Sequence, residues 1–428
     1  MARKKRKTYK DRFRLPSKKL IKKEPPPRLY TWRGGFPIWL YLVILFIITL
    51  CAYYNSFHND FAFDDRQTII DDPLIHAPER WRSLLNIWRP LVRLSFLLNY
   101  NMGKHAGGGI HTFWYHVFNW IFHFINVILL FFIFRKLLRN RLLFGHDTPD
   151  RLSRLSVSPG LLAFAASLIF AIHPVQTESV TYITSRSSLM CTLFLFLGFF
   201  LYQISWDVSK KFYIYIPLII GITICYALSI SSKEIGVVLP LLMLVYDLIF
   251  KDKFDSIVKR RWIFYLPFIL LIAGFILYKI DSGGIWTLYS DGTHMRRTPR
   301  EHFLGELGVI SIYVRLLFLP VNLNLDYDFP PGGDVNAIPA SWILLGALFL
   351  ASALIGAFYS IKKNYVISFA LAWFVINILT VTIPMVNDYL FEHHLYIVVG
   401  GFALFIIMIF DRIVIYTVAN RFSLNSRI

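Results

Sequence analysis

The chain has 428 residues, 56% hydrophobic and 17% charged, with 45 Lys and Arg against 26 Asp and Glu for a formal charge of +19. That composition excludes a disordered or fibrous chain. Uncharged apolar runs of about twenty residues, each long enough to cross a bilayer, recur from end to end and exclude a string of soluble domains. An all-α polytopic membrane protein is expected.

Residues 1–35 carry 14 Lys and Arg against 2 Asp and Glu, and Pro25-Pro26-Pro27 breaks any continuous helix there. The segment reads as a disordered basic arm retained in the cytoplasm and drawn to anionic lipid, since a chain that enters the membrane at Phe36 has little use for a nucleic-acid arm. The first apolar run, Phe36 to Tyr54, lacks a small-x-small cleavage site and is read as a membrane span rather than a signal peptide. Further spans are predicted at about 112–134, 159–174, 187–206, 212–231, 235–250, 262–280, 341–359, 365–384 and 395–415, which makes ten. An eleventh apolar stretch, 303–319, carries Glu306 and Arg315. Leaving it outside puts most of the basic residues and both termini on the cytoplasmic side, as the positive-inside rule asks. Two long outer segments result, 55–111 and 281–340, with a short cytoplasmic tail at 416–428. Cys51, Cys191 and Cys225 fall in apolar runs without metal or disulfide spacing. No internal repeat is visible, so a tetratricopeptide array is not expected.

Chemistry is therefore sought outside. The first outer loop places Asp64, Asp65, Asp71 and Asp72 within nine positions. Such a cluster is either a solvated turn or a site in which cations, a metal or hydrogen bonds hold the carboxylates and one of them accepts a proton. From Pro78 to Lys104, Trp81, Leu84, Leu85, Trp88, Leu91 and Val92 recur at helical spacing with Arg82, Arg89 and Arg93 on another face. This predicts an amphipathic helix on the outer leaflet, kinked or split at Pro90, whose arginines either snorkel or bind a phosphate-bearing lipid. In the second span His116, Asn119, His123 and Asn126 form one polar stripe, suited to interhelical hydrogen bonds more than to a proton relay. Short outer turns add His173 with Glu178 and Arg186, then Lys233 with Glu234, then Glu392 with His393 and His394. Charges at the membrane edge are costly enough to suggest function. The adjacent histidines alone are a weak metal signal.

These blocks, in this order, resemble the transmembrane and tetratricopeptide-repeat O-mannosyltransferases. The matching residues are Phe63-Asp64-Asp65, Arg89-Pro90-Leu91 with Phe96 to Tyr100, Gly109 to His111, and His173-Pro174-Val175 with Thr177-Glu178 and Arg186. They continue with Ser232-Lys233-Glu234-Ile235-Gly236 and Val245-Tyr246-Asp247, then Arg315 to Pro320 with Asp326-Tyr327, and Glu392 with Leu395-Tyr396. The resemblance covers about residues 36–415. It departs in having His393-His394 after Glu392, where relatives more often carry arginine, and no tetratricopeptide tail.

The resemblance implies a C-type glycosyltransferase-like bundle of 10–11 transmembrane helices with outer-face amphipathic helices. It also implies transfer of a mannose-like sugar, with inversion, from a polyprenyl (dolichyl or undecaprenyl) phosphate to a hydroxyl on a protein Ser/Thr or a glycan. The transferase domain would be 36–415, in the plasma (inner) or endoplasmic-reticulum membrane, with its site on the outer or luminal face. Asp64 or Asp65 would be the base. Arg89, Arg93, Arg186 and Lys233 would hold the donor phosphate, with His173, Glu178, Glu234, Glu392 and His393 in support. No cofactor is required, because a phosphate leaving group needs no general acid, although four nearby carboxylates leave a divalent metal open. The rival readings are a flippase for lipid-linked sugars, an outer-leaflet glycan ligase and a non-catalytic scaffold.

Overall fold

A computed structural model describes residues 36–86, 89–105, 110–144, 157–208, 212–250, 261–273, 298–330, 334–382 and 389–425. The basic arm, Gly109, the Asn387-Asp388 turn and the far end of the 262–280 span lie outside the described residues. Among the described residues the regular structure is helical throughout.

Helix α1 (Ile38–Tyr53) is apolar all round, yet buries only Tyr41, Leu45, Thr49 and Tyr53, a single stripe at every fourth residue. A helix that leaves apolar side chains exposed on its remaining faces suits a lipid surround. The outer segment follows as a short 3-10 turn (Tyr54–His58), one turn of π-helix (Arg66–Ile70) and a 3-10 stretch (Pro78–Asn86). Helix α2 (Pro90–His105) then starts on its proline, where the missing N–H costs nothing. The amphipathic helix expected over 78–104 is thus split, with Arg89 at φ 55° forming the joint.

Helix α3 (Thr112–Phe144) carries the polar stripe inward: His116, Asn119, His123 and Asn126 are all buried. Asn126 donates to the Leu189 carbonyl (3.0 Å) and to the Tyr396 hydroxyl (3.1 Å), and His123 bonds the same hydroxyl at 2.7 Å. The stripe ties helices together, as read from sequence. Next come α4 (Pro159–Ile172), α5 (Gln176–Thr181), α6 (Arg186–Ile204), α7 (Phe212–Ser232), α8 (Leu239–Phe250) and α9 (Arg261–Ala273). Helices α10 (Pro299–Phe318), α11 (Ala340–Ser360), α12 (Tyr365–Thr382) and α13 (Val398–Asn425) complete the chain.

Each of the ten expected spans falls on a helix, but among the described residues only seven helices are long and apolar enough to cross a bilayer. Helix α4 has 14 residues and α8 has 12, about 21 and 18 Å against a hydrocarbon core of about 30 Å. Pro174 follows the end of α4, and a 3-10 turn over Glu234–Val238 takes the first residues of the span that α8 was expected to fill. Hydropathy counts apolar residues and does not register these interruptions.

Helix α10 settles the 303–319 stretch. Its N-terminal turn begins with a capping box between Thr298 and Glu301, and His302 Nε2 bonds the Thr382 carbonyl at the end of α12 (2.8 Å). At its other end the Leu317 carbonyl accepts from His173 Nε2 (3.0 Å), just past α4, and Phe318 meets Phe402 near the start of α13. Both ends of α10 touch the same end of the bundle, so the helix lies obliquely across it. Gly346 of α11 permits the crossing, because a Cβ there would collide with the Leu307 carbonyl oxygen.

Candidate functional site

The four carboxylates of the loop after α1 part company in the fold. Asp71 faces Arg66 at 3.7 Å and Asp72 pairs with Arg93. Asp65 is 1% exposed: one oxygen accepts from the Thr184 amide (2.8 Å) and hydroxyl (2.5 Å), the other from the Ala62 amide (3.1 Å). Burial raises its pKa, and these hydrogen bonds oppose the rise. Asp64 is exposed, and its carboxylate has no hydrogen bond or ion pair among the described residues. Its amide donates to the Tyr182 hydroxyl at 3.1 Å, and Phe63 before it takes φ 49°. The strained turn and the Asp65 anchor hold Asp64 outward. Only Asp64 of the pair presents its carboxylate to the surface.

Two of the four expected phosphate ligands are engaged inside the fold. Arg186 is 0% exposed and donates to Asn119 Oδ1 (2.7 Å), Ser95 Oγ (3.0 Å), Asn99 Oδ1 (2.6 Å) and the Tyr115 carbonyl (2.8 Å). Its guanidinium also lies over the Phe96 ring at 4.6 Å. Arg93 binds Asp72 and the Thr68 carbonyl (2.8 Å), closing the outer loop on α2. Arg186 is thereby enclosed, whereas Arg93 makes both of its bonds through one nitrogen and keeps 25% of its side chain exposed. His173 is likewise internal, since accepting from the Val175 amide leaves its Nε2–H to hold α10.

The remaining residues converge. Arg89 pairs with Glu234 (3.1 Å), which joins the start of α2 to the α7–α8 turn. Beside them Lys233, 8% exposed, donates to Ser188 Oγ (2.9 Å). Burial, then the nearby Arg89 guanidinium, lowers its pKa to about 8. Glu178, 6% exposed, accepts from the His393 amide (2.9 Å) and shares a hydrogen bond with His393 Nδ1. Burial raises Glu178 to about 7, against the pull of the His393 amide and Lys233. The same burial, with Lys233 and Arg89 nearby, holds His393 well below the usual imidazole range. Next to it Glu392 accepts from Tyr327 Oη (2.5 Å) and the Asn324 amide (2.8 Å), and His394 Nδ1 bonds Tyr313 Oη (3.0 Å).

Helix α5 joins the two groups: Glu178 sits on it, and Tyr182 and Thr184 follow it directly. Its six residues span about 9 Å. The arrangement offers an outward carboxylate on one side and, on the other, buried Lys233 close to a half-exposed Arg89–Glu234 pair. Thr184, Tyr182, Ser188, Tyr313 and Asn324 escaped the sequence reading, since each acts on a partner far along the chain. Tyr327 lay within a matching block without a role. Among the described residues no three His, Cys, Asp or Glu side chains gather as a metal-ligand set.

No family model and no solved structure matches the chain. It is similar to human protein O-mannosyl-transferase TMTC4, 27% identical over 372 residues, which is 79% of this chain and 47% of the relative. Mouse protein O-mannosyl-transferase TMTC4 is 29% identical over 248 residues, 53% of this chain and 31% of that one. The Caenorhabditis elegans protein O-mannosyl-transferase F38B6.6 is 24% identical over 321 residues, 71% of this chain and 41% of that one. The chain spans about half the length of the curated relatives it matches, or less.

Proposed function

We propose that the chain carries the membrane-embedded part of a glycosyltransferase that moves mannose from a polyprenyl (dolichyl or undecaprenyl) phosphate to a protein Ser or Thr hydroxyl at the outer or luminal face. The observation that carries the reading is Asp64, an unpaired outward carboxylate fixed by a strained turn and a buried neighbour. The relatives' names supply the sugar and the kind of acceptor.

In this reaction the Asp64 carboxylate takes the proton of the acceptor hydroxyl as its oxygen attacks the sugar C1 from the face opposite the carrier. The C1–O bond to phosphate breaks with inversion, and polyprenyl phosphate leaves with the electron pair. A phosphate is a stable anion, so no acid need protonate it; cations that meet the growing charge suffice. Lys233 and Arg89 serve as those cations. Arg93 and Arg186, expected as ligands from sequence, here position α2 and the loop before α6. Glu178 and His393 hold a shared proton beside Lys233 and so set how much positive charge the pocket keeps. Glu234 and Glu392 orient Arg89 and Tyr327.

The test is transfer of labelled mannose from polyprenyl-phosphate mannose to a Ser/Thr peptide by the purified chain in lipid nanodiscs. Wild-type transfer that falls on the order of 100-fold or more in Asp64→Asn supports the reading. Equal rates in the two proteins remove the base.

A further inference from the structure

Beside this cluster a groove of about 580 Å³ runs between α10 and α11, within the range of about 300–1,000 Å³ common to small-molecule sites. Phe318 of α10 and Trp342, Leu345 and Phe349 of α11 line it, and all four are substantially exposed. An apolar wall in a membrane protein needs no special occupant. What distinguishes this one is its polar margin. Arg315 lines the groove, and its guanidinium is exposed with no hydrogen bond or ion pair among the described residues. Asp328, also at the groove, is engaged in an interaction of its own. Tyr327 lines the groove as well, lies within electrostatic reach of Arg315, and donates its hydroxyl to Glu392, the neighbour of the His393 that holds Glu178. The groove therefore has an apolar bed, a cation at its margin that is unpaired among the described residues, and a side-chain connection from there to the candidate site.

We propose that this groove binds the donor's carrier, with the polyprenyl chain lying between α10 and α11 and Arg315 meeting its phosphate. A cation with no partner among the described residues, beside an apolar wall, is complementary to an amphiphile with one anionic end, and a phosphate accepts the guanidinium's paired N–H donors. The assignment rests on the reading of the chain as a polyprenyl-phosphate sugar transferase. It adds Arg315 and the α10–α11 wall to that site. It also explains why a helix as apolar as α10 lies across the bundle end with one charged residue exposed near its C-terminus: α10 presents the carrier to the chemistry.

The test uses the full chain in nanodiscs with a diazirine-bearing polyprenyl phosphate, and with the corresponding polyprenol and a diazirine-bearing phosphatidic acid as separate arms. Labelling by the polyprenyl phosphate is expected in peptides 311–319 and 342–349. It should fall at least fivefold in Leu345→Trp, which fills the groove at an exposed position, and in Arg315→Ala, with Arg315→Lys retaining more label than Ala. Polyprenol should label weakly and ignore Arg315→Ala. Label outside these peptides, label unchanged in both variants, or equal labelling by phosphatidic acid overturns the proposal. Mannose transfer measured in parallel separates the two readings. A labelled groove in a wild-type chain that transfers no sugar removes the transferase reading, whereas transfer unchanged in both variants, with label elsewhere, removes the groove.

Discussion

Helix α6 runs between two buried clusters of charged and aromatic side chains, about 28 Å apart by its 19 residues. At the end away from the candidate site, Asp247 accepts from Tyr202 Oη, Tyr265 Oη (2.9 Å) and Trp206 Nε1 (3.0 Å). Arg261 bonds Ser205 Oγ and packs over the rings of Tyr202, Trp206 and Phe264 at 4.8, 4.3 and 4.1 Å. Carboxylate and guanidinium are both buried, and their neighbours enclose them. At the other end Asp64 is outward and, among the described residues, unpaired, and Lys233 makes one side-chain hydrogen bond with its three N–H donors. Burial of charge is common to both clusters, so it does not mark the site. What differs is the capacity left over for something other than the protein.

The sharpest way to break this comparison is to exchange the members of the acidic pair. Asp64→Asn should reduce transfer on the order of 100-fold or more with an unchanged melting temperature, because no group among the described residues bonds that carboxylate. Asp65→Ala should do the reverse in stability: it leaves the Thr184 amide and hydroxyl without their acceptor, at about 1–3 kcal/mol for a buried orphan, while the amide of exposed Ala62 can turn to water. Thermal melting followed by tryptophan fluorescence, alongside transfer rates, reads both. A folded, inactive Asp65→Ala beside an active Asp64→Asn would reverse the roles.

The buried cations make the second contrast. Arg186→Met strips donors from Asn119, Asn99, Ser95 and the Tyr115 carbonyl, again about 1–3 kcal/mol for each buried group left unsatisfied, so the variant should melt much earlier or fail to accumulate. Lys233→Met gives up one hydrogen bond to Ser188 and a desolvated charge. Its melting temperature should hold or rise, while its apparent affinity for polyprenyl-phosphate mannose falls. Equal destabilisation by the two substitutions would place Lys233 with the structural cations.

Much of this frame is legible in the sequence and some of it is not, for identifiable reasons. Apolar runs locate the membrane helices because lipid contact demands apolar side chains whatever the tertiary structure. The polar stripe of α3 is legible for the same reason, since four polar residues on one face of an apolar helix must find partners. The charge balance separates 303–319 from the ten spans, but it does not show that Val309, Ile310, Leu316 and Leu317 of this helix pack into the main core. What the sequence withholds is which charges the protein itself satisfies. Asp64 and Asp65 are adjacent and chemically identical; Thr184, 119 residues from Asp65, makes them different. Arg93 and Arg186 read alike from sequence, and only the fold brings Asp72 to the one and Asn99 and Asn119 to the other. Glu178 and His393 lie 215 residues apart and meet only in the fold.

The smallest expected effect sharpens the comparison through pH. Glu178 is raised from 4.5 to about 7 and Lys233 lowered from 10.5 to about 8, each chiefly by burial. Between pH 4.5 and 7 the folded chain holds a proton on Glu178 that the unfolded chain has released, so stability falls as pH rises through that window. Between pH 8 and 10.5 the folded chain has released the Lys233 proton while the unfolded chain keeps it, so stability rises with pH there. These two groups together predict a shallow stability minimum between pH 7 and 8, the interval in which the site holds both charges. Glu178→Gln should flatten the acidic limb alone and Lys233→Met the alkaline limb alone, in melting temperature recorded against pH. Asp247→Asn, at the enclosed end, should shift the whole curve without moving the minimum. If the minimum survives in the Glu178→Gln/Lys233→Met double variant, its origin lies elsewhere and the contrast between the two clusters fails.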